Sequence, residues 1–161
     1  MRCRQPALGI CLGIGLAGTT HGGDGPTPVG IEDLLRLRSA RSVAVSPAGD
    51  FAVVAVESFA PAREIGDRID PGDYERRSHL FRISLTDQPA ELRPLTHGDR
   101  RDGDPRVSPD GRSIAFVRSV TDEDGRKKSQ VWVLPLDGGE ARPVTDLEHG
   151  ASRPRWSPDG D

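Results

Sequence analysis

Beyond residue 39 the apolar positions of this chain come in short bursts, each closed by Gly, Pro or charged residues. Residues 51–56 (Phe-Ala-Val-Val-Ala-Val) and 113–117 (Ser-Ile-Ala-Phe-Val) are rich in β-branched and aromatic side chains, the composition of buried inner strands. Residues 80–85 and 131–136 run at period two, which puts Phe81, Ile83 and Leu85 in phase with Trp132, Leu134 and Leu136. Arg93-Pro94-Leu95-Thr96 and Arg142-Pro143-Val144-Thr145 supply one further short strand each. A helical period stands out at 31–38, where Ile31, Leu34 and Leu35 fall at i, i+3 and i+4 and predict a two-turn helix docking one apolar face.

These bursts repeat in order. Ala44-Val45-Ser46-Pro47-Ala48-Gly49 recurs as Arg106-Val107-Ser108-Pro109-Asp110-Gly111 and as Arg155-Trp156-Ser157-Pro158-Asp159-Gly160. Ser108 and Ser157 stand about 49 residues apart, within the range of propeller blades. In the repeated turn, Pro supplies φ near −65°, Gly supplies positive φ, and the Ser or Asp side chain can bond back to the backbone. Asp137-Gly138-Gly139 and Asp124-Gly125 mark further hairpins, and with no Asn in the chain Asp-Gly carries this role alone. The expectation is an all-β fold, a partial β-propeller of about two and a half four-stranded blades with units at 39–98, 99–148 and 149–161. The first unit is longer, its extra residues lying mainly between its second and third strands. Because residues 160–161 fall inside a turn, the chain reads as the incomplete front end of a propeller.

Composition narrows the setting. With 29% charged and 34% hydrophobic residues in 161, any core must be economical. The net charge of −3 comes from interspersed acids and bases, and Lys127-Lys128 is too short a run to mark a nucleic-acid partner. Arg2 and Arg4 followed by an apolar stretch at 7–17 and small residues at Gly15, Ala17 and Gly18 read as a secretory signal peptide over 1–20. That stretch falls short of the about 20 apolar residues a spanning helix needs. Ile10 fits poorly before a lipidated Cys11. With Cys3 and Cys11 both in the leader, the mature chain is cysteine-free and suits a periplasmic or secreted location, with no membrane attachment after cleavage. Residues 21–30, rich in Gly, Pro, Thr and Asp, read as a flexible connector.

A strand ending in Ser-Pro-Asp-Gly and followed by an Ile-Ala-Phe-Val type strand resembles the repeats of the TolB protein and of the propellers of the prolyl oligopeptidase family. Ile31-Glu-Asp-Leu-Leu-Arg-Leu-Arg38 running into Val43-Ala-Val-Ser-Pro-Ala-Gly49 looks like the start of the acylaminoacyl-peptidase and dipeptidyl-peptidase branch. Ala48 and Asp50 depart from the usual Asp-Gly turn. The resemblance implies a parent serine peptidase whose Ser-Asp-His triad follows the propeller in an α/β-hydrolase domain, with peptides as its substrates. No Gly-x-Ser-x-Gly occurs in these residues, so no catalytic residue is assigned. The alternative partner is a protein bound on a face of a non-enzymatic, TolB-like propeller, and a third reading is a truncated frame that never folds stably.

The remaining candidates have ordinary structural readings. Gly13, Gly15 and Gly18 spell Gly-x-Gly-x-x-Gly but sit in the leader with no βαβ unit, so no cofactor is implied. Asp99, Asp102 and Asp104, and Asp122, Glu123 and Asp124, could hold a hard cation, but interleaved with arginines and lysines they read as solvated loop tips and no metal is assigned. His79, His97 and His149 are scattered without metal-ligand spacing. The last two follow fourth strands and could share a propeller face. Trp132 and Trp156 occupy repeat positions filled elsewhere by Phe81 and Val107, which predicts core packing.

Overall fold

A computed structural model of the chain describes residues 31–61, 74–87, 89–121 and 123–160. The leader, the 21–30 connector, the Gly13, Gly15 and Gly18 triplet, both cysteines and Asp122 lie outside the described residues. After a short helix α1 (Ile31–Leu35) come β1 (Ser39–Val45), β2 (Phe51–Pro61), β3 (Tyr74–Ser84), β4 (Leu92–Pro94), β5 (Arg101–Val107), β6 (Ser113–Thr121), β7 (Lys127–Pro135) and β8 (Arg142–Pro143). The fold is all-β, and the eight strands form one open sheet in the order β1-β2-β3-β5-β6-β7-β8, with β4 also on β3. Neighbours are antiparallel except β3 and β5, which meet in parallel at one register pair, Ser78 with Arg101. The sheet is therefore two four-stranded meanders, β1–β4 and β5–β8, joined at a point.

The Ser-Pro turns are built as their residue types require. Ser108 Oγ donates to Asp110 Oδ1 (2.5 Å) and accepts from Ser113 N (2.9 Å), while Gly111, at φ 73°, donates its N–H to Ser108 O. In the first copy, where Ala48 replaces the aspartate, Asp50 accepts the Ser46 hydroxyl instead (2.6 Å). The departure in sequence thus preserves the bond. Asp50, Asp110 and Asp159 all have pKa values lowered from the ordinary 3.8, first because the serine hydroxyl donates to the carboxylate. A lowered folded value means stability present above the ordinary pKa and lost as pH falls through the lowered one. Urea midpoints should therefore decline below about pH 4, and Asp110→Asn should flatten that decline.

The strands run further than their apolar cores. β2 and β3 stay paired from Phe51–Ser84 out to Pro61–Tyr74, because a hairpin ladder needs backbone partners and not apolar side chains. The helix is shorter than expected: it stops at Leu35, and turns from Arg36 N to Asp33 O and Leu37 N to Leu34 O carry the chain into β1. Leu34 is exposed and Leu35 half-buried, so the apolar face docks only in part; a two-turn segment adds little stability of its own.

One apolar cluster spans both meanders, with Phe51, Val53, Ala55 and Leu80 from the first and Ile114, Phe116 and Leu134 from the second. Phe81, Ile83 and Leu85 keep the phase expected of them but not the burial of the second copy. Their counterparts Trp132, Leu134 and Leu136 pack on this cluster, but in the first meander Leu80 is the fully buried residue, Phe81 and Ile83 are half-buried and Leu85 is exposed. The cause is position. The second meander lays this face on the first, whereas no described residue covers the same face of the first, which leaves Val43 and Val45 more than half exposed as well.

Residues 149–160 form no strand, yet they lean on the second meander. Ala151 N donates to Ser129 O (2.6 Å) and the Trp156 indole N–H to Arg106 O (2.9 Å). Ser78 N donates to Arg100 O at the equivalent place one repeat earlier. Gly150 makes the approach possible: at φ 80°, a Cβ there would stand 2.7 Å from Ser129 O.

Candidate functional site

The seam between the meanders collects most of the chemistry. Ser78 Oγ donates to Asp102 O (2.7 Å) and Asp104 N to Ser42 Oγ (3.2 Å), which ties β5 to β3 and β1. The register of β5 on β6 sets Asp102 opposite Arg118. Their side chains meet in a bidentate pair, Nε to Oδ1 at 2.7 Å and Nη2 to Oδ2 at 2.8 Å, with Asp102 1% and Arg118 6% exposed. The guanidinium also lies 5.1 Å from the Phe116 ring centroid and 4.7 Å from that of Trp132.

Asp102 is thus no solvated loop tip. It is a buried strand residue, carried inside because Arg118 shares the core-facing phase of Ile114 and Phe116 and a buried cation needs a partner. That charge in the middle of an apolar strand was the sequence signal available. Asp99 and Asp104 are likewise committed, to Arg77 (2.8 Å) and Arg106 (2.7 Å), so the three carboxylates do not converge on a common point. Glu123 is exposed and Asp124 pairs with Arg126. Among the described residues no group of three His, Cys, Asp or Glu could hold a metal ion.

The histidines are not gathered into a site. His97 and His149 are exposed beyond β4 and β8, while His79 lies within β3. Burial lowers the His79 pKa from its ordinary value, opposed by the charge of Asp102, and its Nδ1 is buried without a partner among the described residues. The aligned residue of the second meander, Gln130, is fully engaged: its Oε1 accepts from Thr145 Oγ1 (2.7 Å) and Leu147 N (3.2 Å), and its Nε2 donates to Leu147 O (2.7 Å). Imidazole cannot reproduce that amide geometry. Trp132 packs on the core as expected, its Nε1 without a hydrogen-bond partner among the described residues, and Trp156 is half-buried.

Beside this seam lies a cleft of about 360 Å³, lined by Leu95, His97, Arg100, Arg118, Trp132 and Leu134 among others. It offers apolar walls beside the exposed charges of Arg100 and Glu140.

No family model matches the chain. The chain is 40% identical over 67 residues to the uncharacterized protein Atu1656 of Agrobacterium fabrum, a stretch that is 42% of this chain and 21% of that protein. It is 48% identical over 68 residues to the uncharacterized peptidase YuxL of Bacillus subtilis, which is 42% of this chain and 10% of that protein. The chain therefore spans a small part of either relative, and the stronger match links it to a protein named as a peptidase.

Proposed function

We propose that this chain is the N-terminal β-propeller part of an exported serine peptidase of the prolyl oligopeptidase family, standing before a catalytic α/β-hydrolase domain outside residues 1–161 and limiting which peptides reach it. The observation that carries the reading is the 48% identity to a peptidase of which the matched stretch is only 10%. Two four-stranded meanders in tandem support the propeller. So does the uncovered row at Val43, Val45 and Leu85, whose counterparts Pro105, Val107 and Leu136 are packed inside in the second repeat. The propeller's part is sieving and positioning, and bond chemistry belongs to the other domain.

A second reading is a TolB-like periplasmic propeller that binds another protein and has no catalytic domain. It is favoured by the other match, where a stretch of nearly the same length makes up 21% of the relative against 10% of the peptidase, so that relative is about half as long.

Expressing this chain and the gene's whole coding sequence side by side separates the two. The peptidase reading expects no hydrolysis of aminoacyl or peptidyl chromogenic substrates by residues 1–161, and hydrolysis blocked by a serine-directed phosphonate from the whole product. A whole product without a Gly-x-Ser-x-Gly segment and without activity would overturn it.

A further inference from the structure

Three pairs of basic residues, Arg76-Arg77, Arg100-Arg101 and Lys127-Lys128, stand far apart in sequence but at or beside the first residues of β3, β5 and β7. Aligning Leu80 with Val131 superposes Arg76-Arg77 on Lys127-Lys128, so the basic pair is part of the repeat. The fold brings these strand starts to one end of the sheet. There Arg76, Arg77, Arg100, Arg101 and Lys127 line a recess of about 250 Å³. Two carboxylates, Glu75 and Asp99, share it. Asp99 is taken by Arg77 and Arg76 reaches Glu57 at 3.8 Å, but no ion pair holds Arg100, Arg101 or Lys127 among the described residues. Arg77 Nε is buried and without a partner among them.

A neighbouring recess of about 530 Å³ shares Asp99, Arg100, Ser119 and Thr121 with this one, and shares His97 and Arg100 with the seam cleft. The three recesses adjoin through these shared residues as a trough, cationic at one end and walled by Leu95, Trp132 and Leu134 at the other.

We propose that this trough binds an acidic peptide segment, its carboxylates against Arg100, Arg101 and Lys127 and an apolar side chain beside Trp132. Guanidinium groups grip carboxylates through two parallel N–H···O bonds, and among the described residues Arg100, Arg101 and Lys127 have no ion pair to give up. The site suits a peptide better than a nucleic acid. Glu75 and Asp99 stand among the cations and would repel a continuous phosphate backbone, and none of the described residues lining the cationic end is an aromatic on which bases could stack. The binding does not depend on the peptidase reading.

The test is fluorescence anisotropy with the full chain and a labelled peptide of alternating Glu and Leu, compared with the same peptide carrying Lys for Glu and with a single-stranded oligonucleotide of equal charge. The Glu peptide should bind on the order of tenfold more tightly than the Lys peptide, with an affinity that salt weakens. Arg100→Glu/Arg101→Glu should abolish that preference, whereas Arg93→Glu/Arg142→Glu, with the same change in net charge on β4 and β8, should preserve it. Equal binding of the two peptides by the unmodified chain, equal losses in the two double variants, or tighter binding of the oligonucleotide would overturn the proposal.

Discussion

Asp102→Ala should lower stability by about 3–5 kcal/mol, the cost of leaving a buried charge without its partner. The carboxylate it removes holds Arg118 through two bonds in a position almost closed to water. Arg118 cannot swing out to solvent, because Phe116 and Trp132 flank its guanidinium and Ser78 and Ser42 fasten β5 around it. Asp99→Ala is the matched control. Asp99 pairs with Arg77 at 2.8 Å but is 77% exposed, and losing such a pair costs less than about 1 kcal/mol. Replacing both buried partners, as Asp102→Leu with Arg118→Met, should recover much of the loss because no orphaned charge remains. Urea denaturation of the four proteins gives the comparison. Equal midpoints for Asp102→Ala and Asp99→Ala would mean that the buried pair contributes nothing special.

That pair also shows why the sequence was legible in some places and silent in others. Turns are local. Ser, Pro, Asp and Gly at fixed offsets specify their own hydrogen bonds, and all three copies close as their residues dictate, even where Asp50 substitutes for the missing aspartate. Strand cores were equally local, since runs such as 51–56 and 113–117 carry their β-branched signal themselves. Burial of Asp102 is a different kind of fact. It depends on β5 pairing with β6 in one register and on β5 crossing to meet β3 at Ser78, neither of which composition near Asp102 records. The basic trough was hidden for the same reason. Each pair of cations is too short to register as a charge run, and only the stacking of two repeats sets Arg100 and Arg101 between Arg76-Arg77 and Lys127. Which face of a repeat is covered was also out of reach, because Phe81 and Trp132 hold the same position in nearly the same pattern and differ only in having a neighbour.

Phe116→Ala should cost about 3–5 kcal/mol and, more tellingly, should melt both meanders together. Phe116 is 0% exposed, and it belongs to a cluster that takes four residues from the first meander and three from the second. Its removal opens a cavity at the joint, and it strips one aromatic ring from beside Arg118. Repeat arrays owe stability to each unit and to the contact between neighbours; here the parallel bridge is a single register pair, so the contact is carried by side chains. The aligned residue Val54 lies on the uncovered face of the first meander and is half-buried, so Val54→Ala should cost only about 1 kcal/mol. Hydrogen exchange reads both effects. In Phe116→Ala the amides of Val53 and Leu80 should lose protection together with those of Ile114 and Leu134, as one cooperative unit requires. Protection that persists at Val53 and Leu80 after the second meander has opened would show two independently stable repeats, with the shared cluster serving as a contact and not as a common core.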